Sequence, residues 1–306
     1  MTATRPMTAH EWGLIIALAA IWGGSFFFIA VAVKALPPFT LVFLRCAIGA
    51  LGLFAVLLVL RQRVPFGWTA LSAFAGMAIL NNIVPQSLII WAQGALTSGH
   101  ASILNATTPF FTVLILHLGT SDQKASPAKW LGVVVGFVGV ACMMGLDVLA
   151  GASAHLPQQA AMLAATFSYG LSGWWSRRIA RLGIPPIAAA AGQLTLSSLM
   201  SLPLVMLVDR PWLLPMPATH VWLAVLGLAL VSTALAYVVF FRILATAGAT
   251  NLSLTTFLIP VSAIVLGIVF LGETLHVRHL AGMACIGLGL AIIDGRPWAA
   301  LTARPA

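Results

Sequence analysis

The sequence predicts an all-α membrane protein: ten transmembrane helices in two inverted five-helix repeats, with both termini cytoplasmic. Three observations predict it: the composition, the number of long apolar runs, and a pattern that recurs in order along both halves. Of 306 residues, 61% are hydrophobic and 7% are Asp, Glu, Lys or Arg. Soluble domains carry about 25% charged residues. Fifteen basic and six acidic side chains cannot cover a soluble fold of this size. An ordinary cytosolic enzyme, a disordered chain and a nucleic-acid binder are excluded. The net charge of +9 comes from basic residues between apolar runs, where a membrane protein marks its cytoplasmic loops. The expected surroundings are a lipid bilayer, with no nucleic-acid partner.

Crossing the hydrocarbon takes about 20 mostly apolar residues. Ten segments qualify: 12–33, 39–60, 68–92, 97–117, 128–146, 157–177, 186–208, 218–241, 248–271 and 276–294. The first is read as a retained span and not as a removed signal peptide. Pro37-Pro38 and Pro185-Pro186 stop helices, because proline lacks the amide donor and restricts its predecessor. Arg61-Gln62-Arg63 and Thr120 to Lys124 are too polar for lipid. The connections are short and leave no room for an ATPase or catalytic module.

Orientation follows from the basic residues. With the N-terminus on one side, that side holds Arg5, Arg61, Arg63, Lys124, Lys129, Arg177, Arg178, Arg181, Arg242, Arg296 and Arg304. The other holds only Lys34, Arg210 and Arg278, and Arg45 lies within the second span. The rich side is cytoplasmic by the positive-inside rule.

The repeat appears on shifting the chain by 151 residues. Pro109 falls on Pro260, Ser102 on Ser253, Asp122 on Glu273, and Asn81-Asn82 on Ser232-Thr233. Upstream, Trp22-Gly23-Gly24-Ser25 matches Tyr169-Gly170-Leu171-Ser172, and the two proline pairs match each other. The units are 12–146 and 157–294. An odd number of spans per unit inverts the second copy, the arrangement that puts a transporter's substrate site near the midplane between repeats.

These residues resemble the drug/metabolite transporter superfamily in its ten-span EamA-type branch. The resemblance runs from Trp12 to Asp294. It rests on WGGSFFFIAVAVK (22–34), LRCAIGAL around Arg45, ALTSGHASILNATTPFFTVLIL (95–116) and ATAGATNLSLTTFLIPVSAIVLGIVFLGETL (245–275). The first half departs from the pattern, with Ser121-Asp122 where the family often has Gly-Glu. The resemblance implies an exporter of small metabolites, often amino acids, and is closest to bacterial aromatic amino acid exporters.

No Asp, Glu or Lys falls in the middle of a span, so a proton relay through a midplane carboxylate is not expected. A substrate still needs polar partners at depth. Candidates are Asn81, Asn82 and Gln86 around Pro85, Asn105 before Pro109, Ser232, Thr233 and Tyr237, and Thr256 before Pro260. Two adjacent amides in lipid must face either a cavity or a neighbouring helix. Trp22, Tyr169 and Trp174 offer flat apolar walls for an aromatic or large aliphatic group. Trp175 reads as an interfacial belt residue beside Arg177 and Arg178, and Trp12, Trp68, Trp130, Trp212, Trp222 and Trp298 read likewise. Arg45, Pro109, Pro260 and Glu273 are assigned structural or gating roles. A central arginine costs about 2.5–3.5 kcal/mol on insertion scales and less near a span end; Arg45 lies about two turns in, within reach of snorkelling, and a structural or gating role is favoured over substrate binding. His100 and His117 read as structural or interfacial.

Gly132, Gly136 and Gly139, with Gly282, Gly287 and Gly289, point to spans five and ten as a packing face or a homodimer face. The three cysteines, Cys46, Cys142 and Cys285, lie in apolar runs without metal-ligand spacing. No cofactor or metal is expected. Gly170-Leu171-Ser172-Gly173 spells the GxSG of an intramembrane serine protease, but the later histidines, His220, His276 and His279, lie near span ends. His10 to Leu14 fails the HExxH zinc pattern at its last position. No filter-like ring of charges suggests a channel.

Overall fold

A computed structural model describes residues 7–121, 124–144 and 155–294. Asp122, Asp147, Arg5, Arg296, Arg304 and Trp298 lie outside the described residues, and with them the pairing of Asp122 with Glu273. Helix α1 spans Ala9–Ala32, α2 Pro38–Leu60, α3 Trp68–Gln93, α4 Ser98–Gly119 and α5 Pro127–Met144. Then come α6 Leu156–Arg181, α7 Pro186–Asp209, α8 Thr219–Thr246, α9 Thr255–Leu271 and α10 Val277–Asp294. A short helix, Gly248–Leu252, leads into α9.

Among the described residues, eight helices are long and apolar enough to cross a membrane. Helix α9 is apolar but has only 17 residues. Helix α6 is long enough but too polar by hydropathy, and the reason is visible in its bonds. Gln159 approaches His100, Thr107 Oγ1 donates to Thr166 Oγ1, Ser168 Oγ donates to the Leu80 carbonyl, and Ser172 Oγ donates to Asn81 Oδ1. Gln159, Thr166, Ser168 and Ser172 are all buried inside the bundle.

The termini follow local chemistry. Thr8 and Glu11 form a reciprocal capping box that starts α1. Prolines occupy the first turn of α2, α6 and α7, where a missing N–H costs nothing. Gly272, at φ 65°, ends α9 in the left-handed region.

Helices α3 and α8 each change to π-helix in mid-course, over Ala78–Ile83 and Gly227–Leu235. In α3 Pro85 follows the π turn and cannot return a hydrogen bond to the Leu80 carbonyl, which Ser168 Oγ takes at 2.8 Å. Helix α4 breaks between Ser98–Asn105 and Thr108–Gly119, with Pro109 in the first turn of the second piece. Pro260 instead lies inside the continuous α9, so the two matched prolines do different work.

The largest helix contacts recur when the first five helices are exchanged for the last five. Helix α1 packs on α9 as α6 packs on α4; α3 lies against α6 as α8 lies against α1; α2 meets α8 as α7 meets α3. The pairs α2–α7, α4–α9 and α5–α10 exchange with themselves. Helices α5 and α10 approach through glycine. A Cβ on Gly139 would sit 2.8 Å from the Gly282 carbonyl oxygen, and one on Gly132 would sit 2.6 Å from that of Gly289. Gly287 faces open space and takes no part. The glycine faces are thus buried within one chain.

The tryptophans divide differently from the sequence expectation. Trp12, Trp68, Trp130 and Trp212 are exposed, as belt residues are. Trp175 is not one of them: its Nε1 donates to the Ala73 carbonyl at 2.9 Å and its ring fills the notch at Gly76. Trp174 is 40% exposed, and its Nε1 donates to the Gly119 carbonyl.

Candidate functional site

Seven helices enclose a central cavity of about 350 Å³, at the low end of the roughly 300–1,000 Å³ usual for small-molecule sites. Helix α1 supplies Trp22, Ser25, Phe26 and Ile29; α2 supplies Arg45; α3 supplies Asn81, Gln86 and Ile89. Asn105 and Thr108 come from α4, Tyr169 and Ser172 from α6, and Thr256 and Ile259 from α9. Helix α8 adds Ser232, Thr233, Tyr237 and Phe240.

These residues pair off along the sequence. Asn81 with Ser232, Gln86 with Tyr237, Ile89 with Phe240, Asn105 with Thr256, and Thr108 with Ile259 are each 151 apart. Trp22 with Tyr169 and Ser25 with Ser172 are each 147 apart. Fourteen of the eighteen lining residues therefore belong to such pairs, and each half contributes equally to them.

The polar wall is a connected network. Tyr237 Oη accepts from Gln193 Nε2 at 2.7 Å and from Asn81 Nδ2 at 3.1 Å. Asn81 Oδ1 accepts from Ser172 Oγ at 3.1 Å, and that hydroxyl also reaches the Tyr169 carbonyl. Arg45 Nε donates to Thr233 Oγ1 at 2.9 Å, and Thr233 Oγ1 donates to the Leu228 carbonyl five residues back, across the π turn. Trp22 and Phe240 form an aromatic corner, with ring centroids 5.7 Å apart. Gln86 and Asn105 each bury an amide oxygen without a hydrogen-bond partner, an uncommon state for a polar atom in a folded interior.

Of the candidates named from the sequence, nine line this cavity: Trp22, Asn81, Gln86, Asn105, Tyr169, Ser232, Thr233, Tyr237 and Thr256. Asn82 does not. It is buried and accepts from Gln86 Nε2 at 3.2 Å, one turn along its own helix. Adjacent residues point about 100° apart on a helix, which gives the two amides different surroundings. Trp174 also lies outside, on the bundle surface. Arg45 turns inward and joins the lining. Glu273 sits apart, capping the start of α4: its carboxylate accepts from Ser98 N at 2.7 Å, Ser98 Oγ at 2.8 Å and Gly99 N at 3.3 Å. Sequence reasoning missed Ser25, Phe26, Ile29, Ile89, Phe240 and Ile259 in the lining and Gln193 behind it. Gln193 is a lone amide in an apolar span, which is a readable signal; Phe240 is one of many phenylalanines and is not.

His100 and His279 lie with ring centroids 4.6 Å apart, tilted by 41°, beside His276 and away from the lining. Among the described residues, no group of three or more His, Cys, Asp or Glu is placed to hold a metal ion. Ser172 bonds Asn81 and the Tyr169 carbonyl, with no histidine among its partners. A second cavity of about 410 Å³, between α1, α8 and α9, is lined mainly by apolar side chains such as Phe27, Phe28 and Phe270.

A polar, aromatic-walled cavity inside a bundle of apolar helices is suited to hold a small molecule. Residues 12–145 and 158–294 each match the model of the EamA-like transporter family. The chain belongs to that family. It is a multi-pass protein of the inner (plasma) membrane that moves small molecules across it, and it is not an enzyme. It is 25% identical over 276 residues to the uncharacterized transporter YoaV of Bacillus subtilis, covering 90% of this chain and 94% of that one. It is 27% identical over 289 residues to the uncharacterized inner membrane transporter YedA of Escherichia coli K12, covering 92% and 90%. A probable amino-acid metabolite efflux pump of Salmonella typhimurium is 25% identical over 300 residues, covering 94% and 95%. A solved crystal structure shares the fold with a TM-score of 0.66 at 21% identity, over 95% of this chain and 99% of that one.

Proposed function

We propose that the protein exports amino acids with aromatic or large neutral side chains, by alternating access about the central cavity. The observation that carries this reading is the pairing of lining residues across the two halves. A site built equally from two similar units has two similar-energy arrangements, one open to each side. In this reading α1 to α10 are ten spans in two inverted five-helix units, with both termini cytoplasmic. Two matches to one family model and the recurrence of the main helix pairs in both halves support it.

The substrate class is supported by the cavity's chemistry. Trp22, Tyr169 and Phe240 suit a flat or bulky apolar group, and the Asn81–Tyr237 network suits a polar head. The similarity to a probable amino-acid metabolite efflux pump points the same way. No acidic side chain is part of the described lining, so the cycle runs without a carboxylate proton relay. A homodimer through α5 and α10 would use their outward Leu131, Val134, Val138, Leu280 and Leu288, since the glycines are occupied within the chain. The same fold serving drugs or other metabolites is the second reading.

Purified protein in liposomes loaded with labelled phenylalanine tests this. Efflux above protein-free liposomes, blocked by unlabelled tryptophan and indifferent to a pH gradient, is expected. Efflux that follows the pH gradient removes the uncoupled mechanism, and no efflux of any amino acid removes the substrate class.

A further inference from the structure

The cavity has an unbalanced charge. Among the described residues that line it, Arg45 is the only formally charged side chain, and a guanidinium stays protonated in a protein. Its hydrogen bond is made by Nε to a neutral hydroxyl. The described carboxylates are committed elsewhere or lie at helix ends: Glu11 caps α1, Asp209 accepts from Thr40 N and Oγ1, Glu273 caps α4, and Asp294 closes α10. A second donor faces the same space. With Gln193 and Asn81 both donating to the Tyr237 oxygen, its lone pairs are filled and its own O–H is left to donate. An unpaired cation beside a phenol donor, in a low-dielectric cavity, is a site for an anion.

We propose that Arg45 anchors the substrate's carboxylate and that the cavity requires no ammonium group. The class admitted is then wider than amino acids: monocarboxylates with an apolar side chain, including 2-hydroxy and 2-oxo acids. This rests on the reading of the cavity as the transport site. It has an energetic corollary. A zwitterion crosses without net charge, whereas a monocarboxylate leaves as an anion along an inside-negative potential. Each 100 mV then favours its export roughly fifty-fold. The membrane potential drives export of such an anion with no proton relay.

The test uses the full chain in liposomes, with labelled phenylalanine and labelled 3-phenyllactate as substrates and phenethylamine as competitor. Phenyllactate is expected to compete with phenylalanine, and phenethylamine to fail at tenfold higher concentration. A potassium diffusion potential, negative inside, speeds phenyllactate efflux and leaves phenylalanine efflux unchanged. Arg45→Gln weakens carboxylate binding roughly ten- to hundred-fold, and Arg45→Lys recovers part of it. Melting temperatures of both variants report folding. Phenethylamine competing as well as phenyllactate overturns the anchor. So does a folded Arg45→Gln protein that transports phenyllactate at the original rate; phenylalanine transport that persists in either case leaves the transport site standing. Transport of none of the three probes overturns the site and the anchor together.

Discussion

Arg45 on α2 donates from Nε to Thr233 Oγ1 on α8 at 2.9 Å, across 188 residues of sequence. The bond ties the cavity's charged lining group to the π-helical stretch of α8, where Thr233 in turn donates to the Leu228 carbonyl. It holds the guanidinium toward the cavity and away from the membrane surface. Thr233→Val keeps the shape and removes the acceptor. A hydrogen bond to a charged group contributes about 1.5–3 kcal/mol. The expected outcome is a lower melting temperature and transport reduced several-fold, measured on one preparation.

Asn81 and Asn82 are neighbours in sequence with different surroundings. Asn81 lines the cavity and bonds Tyr237 and Ser172; Asn82 is buried against Gln86. Asn81→Ala is expected to raise the KM for transport with a small change in melting temperature. Asn82→Ala is expected to lower the melting temperature, in line with about 0.6–2 kcal/mol for a polar contact inside a membrane bundle, while KM stays near its original value. Transport kinetics and thermal unfolding of the pair separate the two roles.

The α5–α10 contact has almost no spare volume at Gly139, where a Cβ would meet the Gly282 carbonyl oxygen at 2.8 Å and Cys285 Cβ at 2.8 Å. Backbone cannot swing aside as a side chain can. Gly139→Val is expected to cost at least about 1–3 kcal/mol by overpacking and to reduce the yield of folded protein in detergent. Gly287→Ala meets nothing within 4 Å and is expected to leave stability unchanged or raise it by up to about 1 kcal/mol. Size-exclusion profiles and melting curves check both.

Glu273 joins the loop after α9 to the first turn of α4 by accepting two backbone N–H groups and the Ser98 hydroxyl. A carboxylate there also faces the positive end of α4. Glu273→Gln keeps the shape, loses the charge and leaves an amide hydrogen facing donors. A loss of about 0.5–2 kcal/mol is expected, as for a helix cap. Thermal unfolding reads it, and binding of phenylalanine at saturating concentration is expected to persist.

The helix limits were legible because proline pairs, charged loops and apolar runs are strong local signals; α1, α2 and α7 begin within three residues of where the sequence puts them. Half of the cavity lining was legible too, its polar part because a polar position repeated in two apolar segments is costly in lipid unless it meets a cavity or a polar partner. Direction around a helix was not. Trp174 and Trp175 differ by about 100° on the helix, and nothing in the sequence says which faces Gly76. Asn81 and Asn82 pose the same problem, made worse by a π turn that shifts the phase of every later residue. The inward turn of Arg45 depends on Thr233, a partner far along the chain that local patterning cannot supply.

Opening of one cavity to each side in turn is tested most directly by the accessibility of a residue inside it. Ser25 lines the cavity from α1. It would be replaced by cysteine in a background of Cys46→Ala, Cys142→Ala and Cys285→Ala, and exposed to a membrane-impermeant thiol reagent applied to one face of oriented vesicles at a time. Alternating access predicts labelling from either face and protection from both by phenylalanine. It also predicts that a bulky adduct added from one side blocks transport completely. Labelling from neither face, or an adduct that leaves transport intact, would refute it.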